Sequence, residues 1–151
     1  MVLVPTVALF LGLAAIAWSD ARHFRVPDTL SLPLVATGLA WSGLTGAGWQ
    51  SAAGAAAGYL VFRSIEGGFE RRRGYPGLGR GDAKLAAVAG AWCGIAGLPT
   101  VVLAASLGGL LFVGARRVGL LPAGEHSPYL PFAPFLCAAI GAVWLHQIAS
   151  G

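Results

Sequence analysis

The sequence predicts an all-α polytopic membrane protein with six transmembrane helices and both termini on the non-cytoplasmic side. Three observations lead there. First, 56% of the 151 residues are hydrophobic and 11% charged, with a mean hydropathy of +0.73; a soluble domain of this length needs more charge to cover its surface. Second, six apolar runs stand out, at about 2–18, 30–45, 49–62, 85–98, 100–115 and 129–148, and six spans of roughly 20 residues use up the chain. Third, all 10 Lys and Arg residues fall after runs one, three and five. These are Arg22 and Arg25, then Arg63 at its membrane edge, Arg71, Arg72, Arg73, Arg80 and Lys84, then Arg116 and Arg117. The segment 46–48 and the turn around Pro99 carry no charge. By the positive-inside rule the three charged loops are cytoplasmic and the chain ends are outside.

Each run fits a membrane helix in its own way. The first is apolar enough for a secretory signal, ending at Ala15-Ile16-Ala17, but its first basic residue, Arg22, comes after the run instead of before it. It therefore reads as a true span. Pro27 fixes the backbone at the entry to the second, where Asp28 or Thr29 can cap the helix. The third and fourth runs are short and borrow flanking polar residues, with Arg63 snorkelling to the interface. Gly54-x-x-x-Gly58 and Gly90-x-x-x-Gly94 have the small-xxx-small spacing that brings helices close, most simply inside one bundle. The high glycine content, 23 residues, fits the same packing. A break between runs four and five is expected at Pro99. No residues remain for a second domain, so 1–151 reads as a single six-span unit.

The pI near 9.7 does not indicate a nucleic-acid partner, because the basic residues follow the topology. Cys93 and Cys137 lie in separate apolar runs with no CxxC pair and read as packing residues. His23, His126 and His146 lack metal-ligand spacing, and no metal site is expected. The six acids, Asp20, Asp28, Glu66, Glu70, Asp82 and Glu125, share the three charged loops, so the ionisable chemistry is confined to one face. A transporter or channel subunit would place such groups near the midplane; a membrane scaffold remains open.

Two segments carry more than connection. In Trp18-Ser19-Asp20-Ala21-Arg22-His23-Phe24-Arg25-Val26-Pro27-Asp28, Asp20 lies at the inner end of the first span. In Gly77-Leu78-Gly79-Arg80-Gly81-Asp82-Ala83-Lys84-Leu85, three alternate glycines permit a closely approaching turn before a helix whose first turn holds Asp82. The glycines lack the GxxxxGK[ST] spacing of a phosphate loop. Taken singly, Asp82 reads as a helix N-cap and Asp20 as a solvated loop acid. Taken together they place two carboxylates at membrane edges, where ionisable groups are costly and point to function.

These residues carry a resemblance. The stretch from Asp20 to Pro33, DARHFRVPDTLSLP, resembles the first signature of the type IV prepilin peptidases, and GLGRGDAKL their second. The second contains the GxGD of Gly79-Arg80-Gly81-Asp82, shared with presenilin-like intramembrane proteases. Pro131-Phe132-Ala133-Pro134-Phe135 is similar to the PFGPF run that opens the family's last span. The resemblance implies a membrane aspartyl endopeptidase of the bacterial inner membrane with its active site facing the cytoplasm. Its substrates would be type IV prepilins or type II secretion pseudopilins with a basic leader ahead of an apolar helix.

It also implies Asp20 and Asp82 as catalytic residues, Gly79 and Gly81 as shapers of the turn, and Lys84, Pro27 and Asp28 as supports. Two neighbouring carboxylates do not both ionise readily, so such a pair holds one proton and performs acid and base roles without a metal or covalent nucleophile. Cleavage then needs no cofactor. S-adenosylmethionine enters only if the family's second activity, N-methylation of the new N-terminus, is retained. Longer members carry an N-terminal cysteine-rich segment with two CxxC pairs, and this chain reads as a short form that starts at its first span. Methylation is therefore expected to be weak or to depend on another protein. Ala133, where the family often has Gly, adds a methyl beside the last motif. A peptidase turned inactive scaffold would share all these features.

Overall fold

The computed structural model describes residues 2–23, 26–73, 79–120 and 132–150. Among the described residues five helices follow one another: α1 (Leu3–His23), α2 (Asp28–Leu44), α3 (Gly48–Arg73), α4 (Arg80–Arg117) and α5 (Ala133–Ser150). The described residues contain no strand. Three of the helices, Leu3–His23, Gly81–Arg117 and Ala133–Ser150, are long and apolar enough to cross a membrane by length and composition. At 17 residues α2 falls just short; at 1.5 Å per residue it still measures about 26 Å. Two helices outrun the apolar segments that predicted them: α1 continues past Trp18 to His23, and α3 past Phe62 to Arg73.

α4 is two arms. Gly94 interrupts its 38 residues with φ 69° and ψ 174°, a region essentially closed to side chains with a Cβ. The second arm folds back along the first. Val102 packs on Phe62, Ala83 and Ala86, although 16 residues of straight helix would carry it about 24 Å from Ala86. The break therefore lies at Gly94 and not at Pro99, which is accommodated inside the second arm. A proline removes one donor, but a positive φ needs a glycine, and the backbone turns where the glycine stands. The interruption leaves helical carbonyls without their usual donors; Gln147 Nε2 donates to the Cys93 carbonyl oxygen at 3.0 Å.

Glycines set the distance between α3 and α4. A Cβ at Gly90 would lie 2.1 Å from the Gly54 carbonyl, and one at Gly58 2.4 Å from the Ala86 oxygen. The two small-xxx-small motifs thus pack α3 on α4 within one chain. Around this contact the core collects Leu9, Leu13 and Ile16 of α1, Leu34 of α2, Leu85, Val88 and Trp92 of α4, and Leu136, Ile140 and Trp144 of α5. Cys93 and Cys137 are both buried and free, as packing residues should be. The buried indole of Trp92 donates from Nε1 to the Leu34 carbonyl at 2.8 Å and meets Trp144 edge-on, with centroids 5.1 Å apart. Trp144 Nε1 in turn donates to Thr6 Oγ1 at 3.2 Å.

The last contact brings the two ends of the described chain to one end of the bundle, together with the break at Gly94. The other end gathers the C-terminus of α1 and the N-termini of α2, α4 and α5. Phe112, near the close of the second α4 arm, packs on Phe135 there, with centroids 5.6 Å apart.

If backbone contact between Gly54 and Gly90 holds this arrangement, Gly90→Ala will destabilise the detergent-solubilised protein by about 1–3 kcal/mol, the usual cost of overpacking. Gly114→Ala, where an added Cβ meets nothing within 4 Å, will leave stability unchanged or slightly raised. Thermal unfolding of the two variants checks this.

Candidate active site

Asp20 is a core residue of α1. With Leu9, Leu13 and Ile16 it forms the buried stripe of that helix, at spacings of four, three and four, which is the period of one helical face. Its side chain is 8% exposed, so it is not a solvated loop acid. α1 simply runs past it to His23. The carboxylate accepts a hydrogen bond from the backbone N–H of Ala133, the first residue of α5. That N–H is one of the four a helix N-terminus leaves unsatisfied. Asp20 therefore caps α5 from a different helix. The motif residue contributes through its backbone, so a methyl at Ala133 is accommodated; Ala133 is 1% exposed and in the core. Of the same motif, Pro131 lies outside the described residues.

Asp82 occupies the third position of α4. The helix starts after Gly79, which is the N-cap residue, with φ −70° and ψ 136°. Asp82 is thus not the cap. Its carboxylate reaches back to accept from the Gly79 backbone N–H, and its own N–H donates to the Gly79 carbonyl at 2.9 Å. This is the acidic half of a capping box, with glycine in place of the usual Ser or Thr. Asp82 is likewise 8% exposed.

The two carboxylates lie at the same end of the bundle. Asp82 lies within electrostatic reach of Asp20, and Cys137, one turn into α5, within reach of both. Each carboxylate takes a backbone N–H from a helix N-terminus, where the helix dipole favours negative charge. Two acids buried near one another do not readily both ionise, and a pair that holds one proton has the chemistry to accept and to donate one.

The remaining predicted residues tie the two signatures together. Pro27 is the N-cap of α2, with φ −71° and ψ 137°, and among the described residues no side chain caps that helix; Asp28 and Thr29 do not do so. Asp28 is the first helical residue, and its exposed carboxylate forms an ion pair with Lys84 of α4. Beside that pair, Val26 is buried against Gly81: a Cβ at Gly81 would lie 2.5 Å from Val26 Cγ2. A Cβ at Gly79 would lie 3.4 Å from Asp82 Oδ2, an ordinary contact, so Gly81 carries the stricter requirement. Gly77, Leu78, Phe24, Arg25, Glu125 and His126 lie outside the described residues.

One acid was underrated in the sequence. Glu66 reads in the sequence only as one of six acids in the charged loops, and Arg63 does donate to its Oε2 at 2.6 Å. Yet Glu66 is only 1% exposed, and it interacts electrostatically with Asp82. A sequence signal existed: Phe62 and Glu66 are four residues apart, so the face that buries Phe62 continues to Glu66. A cavity of about 350 Å³, lined by Gly97, Thr100, His146 and Gln147 among others, opens at the far end of the bundle, away from these acids.

Comparison with known proteins bears on the same residues. The type IV leader peptidase family matches residues 7–114, a span that includes both aspartates. The prepilin leader peptidase/N-methyltransferase of Aeromonas salmonicida is 38% identical over 138 residues, which cover 87% of this chain and 46% of that protein. The protein of the same name from Xanthomonas campestris is 34% identical over 155 residues, 96% of this chain and 51% of the relative. That of Pseudomonas aeruginosa is 38% identical over 141 residues, 91% and 48% respectively. The chain spans about half the length of the curated relatives it matches. No solved structure matches it.

The Val26–Gly81 contact makes a prediction about the junction of the two signatures. Gly81→Ala will cost about 1–3 kcal/mol of stability through overpacking, and Val26→Ala, by making room for the new methyl, will recover part of it. A double-mutant cycle on thermal unfolding should give a coupling of about 1 kcal/mol; additive effects would separate the two residues.

Proposed function

The chain belongs to the type IV leader peptidase family, and from that premise we propose that it is a membrane aspartyl endopeptidase that cleaves the leader peptides of type IV prepilins or pseudopilins. The observation that supports this best is that Asp20 and Asp82, both buried and each at a helix N-terminus, lie within electrostatic reach of one another at one end of a bundle of apolar helices. The curated relatives named as prepilin leader peptidases are similar over most of this chain.

The chemistry needs only this pair and a water molecule. The ionised aspartate takes a proton from water as the water oxygen attacks the scissile carbonyl carbon, and the protonated one donates to the carbonyl oxygen. The tetrahedral intermediate collapses when the first aspartate returns its proton to the departing amine. Gly79 and Gly81 hold the turn that presents Asp82, and the Asp28–Lys84 pair and Pro27 fix the α2 entry against it. In this reading the apolar helix of the substrate lies in the bilayer and its basic leader at the face where Asp20 and Asp82 sit. Cleavage requires no cofactor. N-methylation appears in the relatives' names; no step is assigned through S-adenosylmethionine.

We further place six crossings in the membrane, made by α1, α2, α3, the two arms of α4, and α5. The charged face with both aspartates is then cytoplasmic, in a bacterial inner membrane. The supporting observations are the positive charges after alternate apolar runs and the gathering of both chain ends opposite the aspartates. Reporter fusions after Gly151 and within residues 67–73 should report opposite sides, the second cytoplasmic; a cytoplasmic C-terminus would remove the six-crossing arrangement.

The catalytic reading predicts that Asp20→Asn and Asp82→Asn each lower leader cleavage by about 10²–10⁴-fold with normal accumulation in the membrane. Asp28→Asn, which touches only the exposed ion pair, loses much less. Conversion of a precursor by each variant, followed by gel mobility and mass spectrometry, makes the measurement. More than a tenth of wild-type turnover in Asp20→Asn would remove that residue from the pair.

A further inference from the structure

α3 and the first arm of α4 run antiparallel in a steady register. Gly54 faces Gly90, Gly58 faces Ala86, and Phe62 packs on Ala83 and Ala86. One more turn of α3 brings Glu66 opposite the turn at residues 79–82. Its burial at 1% exposure and its electrostatic interaction with Asp82 agree with that position. Arg63, four residues after Tyr59 and half exposed, reaches in to form the ion pair.

The two aspartates consequently have different neighbours. Asp20 takes the Ala133 N–H at the start of α5. Asp82 takes the Gly79 N–H but also faces Glu66. Among the described residues, the other ionisable groups around Asp82 are Asp20 on α1, the Asp28–Lys84 pair between α2 and α4, and the Cys137 thiol on α5. Glu66 with its Arg63 partner is the contribution of α3.

We propose that Glu66 is a positioning residue that assigns the two roles within the carboxylate pair, leaving the shared proton on Asp82 and the charge on Asp20. A fixed negative charge beside one of two coupled carboxylates places the proton on the nearer one. Asp20 then is the base that accepts a proton from the attacking water, and Asp82 the acid that donates to the carbonyl oxygen. When the carbon–nitrogen bond breaks, Asp20 gives its proton to the amine and the hydroxyl proton of the intermediate returns to Asp82, so the pair ends as it began. This inference rests on the cleavage reading above and adds the division of labour.

The test uses the full chain reconstituted in vesicles of phosphatidylethanolamine and phosphatidylglycerol, with a synthetic precursor as substrate. Glu66→Gln should move the alkaline limb of the kcat profile toward acid by about one pH unit, the scale of a single nearby charge, with KM unchanged. Arg63→Gln, which removes a positive charge paired with Glu66, should move the limb the other way. A purely structural role would not give shifts of opposite sign. Infrared difference spectra of the purified chain give a readout independent of turnover. The carbonyl stretch of a protonated carboxyl should be present near neutral pH in the wild type, absent in Asp82→Asn, and seen in Glu66→Gln only at lower pH. An unchanged limb and an unchanged stretch in Glu66→Gln would overturn the proposal. Should that variant fail to accumulate, Arg63→Gln decides by the same two readouts, and no shift in it would overturn the proposal too. Wild-type protein that cleaves nothing would sink the cleavage reading instead, and the infrared comparison would still decide the place of the proton.

Discussion

The seating of the Asp20 carboxylate at the Ala133 N–H, where the end of α1 meets the start of α5, is the constraint from which the carboxylate site follows. A helix that starts at a membrane edge exposes backbone donors that lipid cannot satisfy, and an acid brought to the same edge needs donors of its own. One bond answers both needs. It ties the start of α5 to the end of α1, and Cys137, one turn further along α5, lies within electrostatic reach of both Asp20 and Asp82. A charged group can be kept in such surroundings only where the protein supplies its partners. Here those partners are helix N-termini, which are strongest where they begin.

Reaching that arrangement requires α4 to approach the other helices at both of its arms. The backbone contact at Gly54 and Gly90 sets the spacing to α3, and the reversal at Gly94 lets Val101 and Ala105 of the second arm join the core with Leu85 and Val88 of the first. The same glycines establish the register that carries Glu66 to the site. Packing and chemistry are therefore coupled through α3: a change that separates α3 from α4 also moves a buried negative charge away from Asp82. Lys84 and Asp28 perform the matching function on the other side, at the surface, where an ion pair contributes little energy but fixes which parts of the two signatures face each other.

Much of this was legible in the residues. The apolar runs located each helix, and alternate glycines ahead of Asp82 announced the turn it stands on. Asp20 was harder to read, because ending the helix at Trp18 made it a loop acid; following the stripe of Leu9, Leu13 and Ile16 one step further would have put it in the core. Pro99 drew the expected break away from Gly94, since a missing N–H is visible in a sequence whereas a positive φ is not. The cap on α2 was assigned to Asp28 or Thr29 by propensity, but Asp28 is engaged by Lys84, a tertiary partner that local sequence does not reveal. Glu66 escaped for a related reason: among many arginines an acid looks like a counter-charge, and its burial emerges only from the register of α3 on α4.

If a single chain brings Asp20 and Asp82 into one catalytic site, neither Asp20→Asn nor Asp82→Asn protein can complete the other. Reconstituting the two variants together in the same vesicles, beside wild-type vesicles, tests this directly. Wild-type protein should cleave the precursor, and the mixture of the two variants should stay as inactive as either alone, because no molecule in it holds both carboxylates. Recovery of a substantial part of wild-type cleavage in the mixture would show that the pair is assembled between two copies, and would contradict the account.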